Sequence, residues 1–320
     1  MDKQHTVIVA DCDHHSIDIE KKVLADVCRD LPWLNCRTED EVIAQCAQAE
    51  ALLIMYAPLT RRVMEHLKQC KVIARYGVGV DTIDLHAAAD LGIVASNVPD
   101  YGTQEVSDHA LAMMLCLTRK IALASDLVKH GKWDFRLMRP IHRLQTQTIG
   151  IVGIGRIGGA MARKTHAIGM KVIAHDPYVQ REQVPEYVTL VSLEALLQQA
   201  DVVSVHCPLN DSTRYLLDAA KLGLMKPSAY LINTARGSIV DEAALDQLLG
   251  EQKLAGAALD VLSVEPGAPV HPLFRHDNFL CSPHMAWHSE ESAQELKRKA
   301  AEEVRRVLRG EPPLYQVNAF

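Results

Sequence analysis

Apolar runs of strand length alternate with segments of helical period along most of the chain. In the first hundred residues the runs are "TVIVADCD", "ALLIMYAP", "KVIARYGVG" and "GIVASNVP", each ending in turn residues. Between them "SIDIEKKVLADVC", "TRRVMEHLKQ" and "LHAAADL" show helical spacing. Such alternation predicts a parallel sheet covered on both faces. The pattern holds to about Asp100. A long helix is then predicted over roughly Gln104 to His130, apolar all round at "ALAMMLCL" and so buried at a domain or subunit interface. The polar, basic loop "GKWDFRLMRPIHRLQTQ" leads into a second series with strands "TIGIVGIG", "KVIAHDPY", "DVVSVHCP", "AYLINTARG", "LAGAALDV" and "NFLCSPH". A last helix is predicted after Ser289, a suitable N-cap, with acidic residues in its first turn and arginines near Gly310, as the helix dipole favours.

Composition narrows the class. The 320 residues allow about two domains. A net charge of −6 argues against nucleic acid or an anionic membrane as the main partner. No apolar run approaches the ~18 residues that span a bilayer. The N-terminal "MDKQHTVIVADCDHH" turns acidic where a secretory peptide stays apolar, so a cytoplasmic protein is expected. Eight cysteines without a CxxC pair read as buried free thiols. Among 15 histidines, the adjacent His14 and His15 read as a solvated loop, and no metal is expected.

The clearest chemical signal is "TIGIVGIGRIGGAMARKTHAIGMKVIAHDPY". Gly153, Gly155 and Gly158 stand in G-x-G-x-x-G spacing after a strand run and before a helix, with Asp176 about 20 residues on. The first glycine permits a tight turn, the second a close approach to pyrophosphate, and the third close helix packing. The helix N-terminus adds partial positive charge. Asp176 suits a ribose diol and repels a 2′-phosphate, which favours NAD over NADP.

Three further residues follow strand runs. Arg236 lies where α/β sheets hold their ligands, and its planar fork suits a carboxylate; a surface ion pair is the other reading. Glu265 stands before Pro266, which would hold its backbone extended; a solvated loop residue is the other reading. His284 follows the last strand run. A carboxylate beside an imidazole fixes its tautomer and favours its protonated form, giving a proton donor near neutral pH.

With these residues in view the chain resembles the D-isomer-specific 2-hydroxyacid dehydrogenases from about Val7 to the final helix. The carrying motifs are "GIVGIGRIG" with "HDP", "HCPLNDSTRYLL", "LINTARGSIVDEAAL", "ALDVLSVEP" and "SPHMAW". The resemblance implies an α/β fold of two doubly wound parallel-sheet domains. Residues 1–101 plus 288–320 would form a discontinuous substrate domain, and 102–287 a Rossmann NAD-binding domain, with a cleft that closes over substrate. It also implies that Arg236 binds the substrate carboxylate, that His284 is the acid/base, and that Glu265 orients it. Gly153, Gly155, Arg156, Ile157, Gly158, Asp176, Cys207, Pro208, Asn210, Thr213, Thr234, Ala235 and Asp260 would line NAD, Asp260 at its nicotinamide end. Backbone amides at Val78 and Gly79 would complete the anion site. Family members are usually homodimers, which would account for the apolar helix around Leu111 to Leu117.

Within the family the pattern is closest to the C-terminal binding protein-like branch, corepressors that keep the dehydrogenase fold. "LIMYAPLT", "ARYGVGVDTIDL" and "PHMAWHSEES" carry that likeness. There Arg75 and Trp287 would border the substrate pocket; a core tryptophan at the domain hinge is the alternative for Trp287. Phosphoglycerate dehydrogenases commonly carry an arginine where this chain has Met55, Tyr56 and Ala57. That departure speaks against a phosphorylated acid, and the end at Phe320 leaves no room for an appended regulatory domain. Two functions therefore stand: a dehydrogenase of a small 2-oxo or 2-hydroxy acid, or an NAD(H)-sensing binding protein with vestigial turnover.

Overall fold

Short, apolar, β-branched runs become the strands of two parallel sheets. The computed structural model describes residues 4–265, 267 and 270–319, so Pro266 and its effect on Glu265 lie outside the described residues. Contacts divide the chain into one unit of Met1–Gly102 with Ser289–Phe320 and a second of Thr103–His288.

The first unit contains β1 (Val7–Val9), β2 (Ala51–Ile54), β3 (Val72–Arg75) and β4 (Val94–Ser96), in that spatial order and all parallel. A parallel bridge from Val9 to Trp33 continues the sheet on the other side of β1. The chain therefore winds outward in both directions from β1. Nearly every strand residue is buried, because both faces are covered. The helix Glu290–Leu308 lies against β2 and β3, burying Leu296, Ala300, Ala301 and Val304. Ser289 caps it, accepting from the Ser292 amide at 2.9 Å. The loop at His14 differs from the sequence expectation. His15 is exposed, but His14 packs edge-on to Tyr76 at 5.0 Å. Burial, with the Lys297 charge adding to it, pushes the His14 pKa down to about 4.

The second unit contains β5 (Thr148–Val152), β6 (Lys171–His175), β7 (Val188–Leu190), β8 (Val202–Val205), β9 (Tyr230–Asn233), β10 (Gly256–Leu259) and β11 (Phe279–Cys281). Their order is β11-β10-β9-β8-β5-β6-β7, all parallel. Strand order reverses between β5 and β8, the kind of crevice in which open α/β sheets hold ligands.

The predicted helix over 104–130 is two helices, Thr103–Thr118 and Ile121–Lys129. Lys120, at φ +53°, turns the chain through the left-handed region between them. Ala110, Met113, Met114 and Leu117 are buried inside their own unit, where the first helix packs on β9 and β10. One face of the apolar stretch is thus core, while Leu111, Leu115 and Cys116 are half-buried and Ala112 is exposed. In the segment that follows, Ile121, Val128, Trp133, Phe135, Leu137 and Ile141 are exposed.

Among the described residues no helix is long and apolar enough to cross a membrane, and no cluster of metal-ligand side chains occurs. The cysteines are free thiols, five of them buried.

Candidate active site

The turn after β5 is built from close backbone approaches. Gly153 has φ +88°, and a Cβ there would lie 2.7 Å from the Cys207 amide nitrogen, so β5 and β8 can meet only at glycine. A Cβ on Gly158 would fall 2.0 Å from the Gly153 carbonyl oxygen. Gly155, with open space at its Cβ position, stands at the N-cap of the helix Arg156–Ala167, which has no side-chain cap. Amides of that first turn lack helical partners and suit an anion. Arg156 is exposed and Ile157 half-buried beside them. Asp176 follows β6 directly; its carboxylate accepts from the Ile154 amide at 3.1 Å and the Tyr178 amide at 3.0 Å.

The carboxyl ends of the neighbouring strands complete this rim. Beyond β8, Cys207 is pressed against Gly153, and its thiol is pushed up to about 11 by burial. Pro208, Asn210 and Thr213 form a tied loop: the Thr213 hydroxyl donates to the Pro208 carbonyl at 2.6 Å and accepts from the Asn210 amide at 2.8 Å. Beyond β9, the buried Asn233 holds the turn, its Oδ1 accepting from the Ala235 amide and its Nδ2 donating to the Arg236 carbonyl, both at 2.9 Å. The Thr234 hydroxyl is buried there without a protein partner. A glycine cradle at a helix N-terminus, an acidic group one strand away and an orphaned buried hydroxyl fit a dinucleotide.

Arg236, Glu265 and His284 follow β9, β10 and β11 in turn. Gly237 allows the first two turns to meet, since a Cβ there would lie 2.0 Å from the Leu262 carbonyl carbon. The Arg236 Nη1 donates to the Ala235 carbonyl at 2.7 Å. Glu265 accepts from the Leu262 amide at 2.9 Å through Oε1 and meets the His284 Nδ1 at 2.6 Å through Oε2. Burial raises the Glu265 pKa, but the bond and charge of His284, the Leu262 amide and Arg236 more than reverse this and hold it below the ordinary value. With Nδ1 committed to a carboxylate, the ring presents Nε2 for proton exchange. His284 itself has φ +52°, a conformation costing on the order of 1–3 kcal/mol for a residue with a side chain. Asp260, 2% exposed, braces the loop beyond it: Oδ1 accepts from the Met285 amide and the Ser282 hydroxyl, Oδ2 from the Ala286 amide.

Trp287 is half-buried, edge-on to His288 at 5.2 Å. In the first unit, Arg75 ends β3 and donates from Nε to the Met55 carbonyl at 3.3 Å. Its guanidinium occupies the space a Cβ on Gly77 would need. Val78 is exposed and Gly79 half-buried, and the Val78 carbonyl accepts from Asn97 Nδ2 at 2.6 Å.

Sequence reasoning missed Asn233, Ser282, His109 and Glu242. Glu242 accepts from the Ser263 amide at 2.6 Å and hydroxyl at 2.8 Å, fixing the loop that carries Glu265. Asn233 and Ser282 adjoin recognised motifs, a usable signal; His109 and Glu242 lie on helices and carry none.

Residues 111–286 match the model of the D-isomer specific 2-hydroxyacid dehydrogenase NAD-binding domain. NAD is therefore the cofactor of this chain. A D-3-phosphoglycerate dehydrogenase of Archaeoglobus fulgidus is 37% identical over 283 residues, 88% of this chain and 54% of that protein. The chain thus spans about half the length of that relative. A glyoxylate reductase of Thermofilum pendens is 36% identical over 88% of this chain and 85% of its own. The structure of an Aquifex aeolicus D-lactate dehydrogenase complexed with NAD and lactic acid superposes with a TM-score of 0.86 at 28% identity, covering 96% of each chain. The fold, the glycine cradle and these likenesses agree, and the chain belongs to the D-isomer-specific 2-hydroxyacid dehydrogenase family.

Proposed function

We propose that this chain interconverts a small 2-oxo acid and its D-2-hydroxy acid, with NAD as redox partner. The observation that carries the reading is the 2.6 Å pair of His284 and Glu265 on the same sheet edge as Arg236 and the glycine cradle. NAD, when bound, supplies or accepts the hydride exchanged at C2. The remaining steps fall to this chain's residues. Arg236 holds the carboxylate through its planar fork. Protonated His284 gives its Nε2 proton to the carbonyl oxygen during reduction and takes it back during oxidation. Glu265 keeps Nδ1 protonated and balances the imidazolium charge. Gly153, Gly155, Arg156, Ile157 and Gly158 would seat the pyrophosphate, Asp176 the ribose diol, and Cys207, Pro208, Asn210, Thr213, Thr234, Ala235 and Asp260 the rest of the cofactor.

By the family resemblance, Arg75, Val78, Gly79 and Trp287 contribute to substrate binding. An unphosphorylated acid is favoured: the Met55, Tyr56 and Ala57 amides all donate to the buried Asp11 carboxylate, at 2.7–3.1 Å. Engaged with Asp11, which also pairs with Arg37 at 3.3 Å, those amides are already committed within the protein. Free thiols suit a reducing, cytoplasmic setting. A homodimer joined through the exposed apolar segment from Ile121 to Ile141 completes the reading.

The test is NADH oxidation across pyruvate, glyoxylate, hydroxypyruvate, its phosphate ester, 2-oxoglutarate and 4-methylthio-2-oxobutyrate. Turnover of one unphosphorylated acid, lost in His284→Ala, is expected. Tight NADH binding with negligible turnover of every acid would overturn it in favour of an NAD(H)-sensing binding protein.

A further inference from the structure

The loop carrying His284 is held from behind by a chain of side chains that begins at two residues, His109 and Ser282, to which the proposed reaction gives no role. Ser282 Oγ lies 2.5 Å from Asp260 Oδ1 and 2.9 Å from His109 Nε2, and His109 Nε2 lies 3.7 Å from the same carboxylate oxygen. A hydroxyl has one proton. At 2.5 Å from a carboxylate that also takes the Met285 and Ala286 amides, Ser282 must donate to Asp260. It must therefore accept from His109, whose Nε2 carries a proton. The chain runs His109 to Ser282 to Asp260, and from there to the two amides that follow His284.

This bracing has something to oppose. His284 sits at φ +52°, a region uncommon for residues that carry a side chain. Its amide is tied to the Asp260 and Ser282 carbonyls at 2.8 and 3.0 Å, so both residues grip it through backbone as well. His109 comes from the helix Thr103–Thr118, which packs on β9 and β10. It thus anchors a strained loop to the rigid part of the unit.

We propose that His109 and Ser282 are positioning residues that, through Asp260, fix the ring of His284 for proton transfer. The proposal rests on the reading of His284 as the acid/base. Loosening the loop should impair proton transfer more than binding. Ser282→Ala and His109→Leu are expected to lower kcat about 10- to 100-fold while the KM values for oxo acid and NADH stay within about 3-fold. Ser282→Thr keeps the hydroxyl, and His109→Gln keeps an N–H donor; each should recover most of the loss. Variants within about 2-fold of wild-type kcat, a KM that rises in step with the loss, or conservative variants no better than Ala and Leu would overturn the proposal.

Ring nitrogen NMR of the histidines tests the same geometry without turnover. His109 should appear as the Nε2–H tautomer. Ser282→Ala should displace the His284 ring signals, and Ser282→Thr should restore them. His284 signals indifferent to Ser282→Ala in a folded protein would overturn the proposal. If wild-type protein reduces no oxo acid, the proposed function fails, and the NMR result still decides whether this chain controls the His284 ring.

Discussion

Asp176 shows how much one side chain can decide. Its carboxylate stands one residue beyond β6 and is tied to the Ile154 and Tyr178 amides. It is therefore held in place before any cofactor arrives. Asp176→Ala should weaken NADH binding and reduce the preference for NADH over NADPH by about 10-fold, as a charge that repels a 2′-phosphate is removed. Fluorescence titration with both cofactors measures this, and an unchanged ratio of the two affinities would refute the assignment. The glycines, Asp176, Arg236, Glu265 and His284 were legible because each follows an apolar strand run at a spacing that chemistry explains. Their supports were not. His109 meets Ser282 across 173 positions of chain, and no local pattern announces such a contact. Asn233 reads as an ordinary strand end until its amide is seen closing the Arg236 turn.

Among the elements, the strands set in apolar runs and the capped final helix were legible, whereas the half-exposed β7, an isolated bridge and a turn inside a helical stretch were not. β7 has three residues, one exposed and one half-buried, and the Trp33 strand is a single bridge. The left-handed turn at Lys120 uses neither glycine nor asparagine, so helical periodicity runs straight across it. Element junctions also set pH tolerance. Glu50 precedes β2 and accepts from His5 at 3.0 Å, the Thr6 amide at 3.1 Å and Lys71 at 3.2 Å. Burial raises its pKa, but these donors outweigh burial and bring it down from 4.5 to about 2. Because the folded value is the lower one, the stabilisation is fully present above about pH 4.5 and fades as pH falls towards about 2. Glu50→Gln should therefore destabilise the protein most at neutral pH and hardly at all near pH 2. Urea unfolding at pH 7, 5 and 3 follows the gap; a gap that stays constant with pH would show that the charge is not responsible.

At the scale of the whole molecule, the two-unit α/β plan was legible from strand–helix alternation, whereas hydrophobicity alone did not separate core from a surface that a second copy could use. Hydrophobicity marked Leu111 to Leu117, and the structure buries the inward face of that helix under β9 and β10. The segment that follows is different. The helix Ile121–Lys129 has no buried residue at all, Trp133 is 86% exposed and Phe135 75%. Large apolar side chains recurring in water along one segment are the kind of feature that marks an interaction site. A symmetric dimer buries one patch against its own copy, which suits a segment this exposed. Wild-type protein should sediment at twice the chain mass at micromolar concentration. Trp133→Glu combined with Phe135→Ser should shift it to the monomer, because two aromatic anchors near the centre of an interface carry much of its energy. NADH binding should survive in that variant, since the glycine cradle and Asp176 lie on other elements. A wild-type protein that sediments as a monomer, or a double variant that remains dimeric, would remove this segment as the contact between copies.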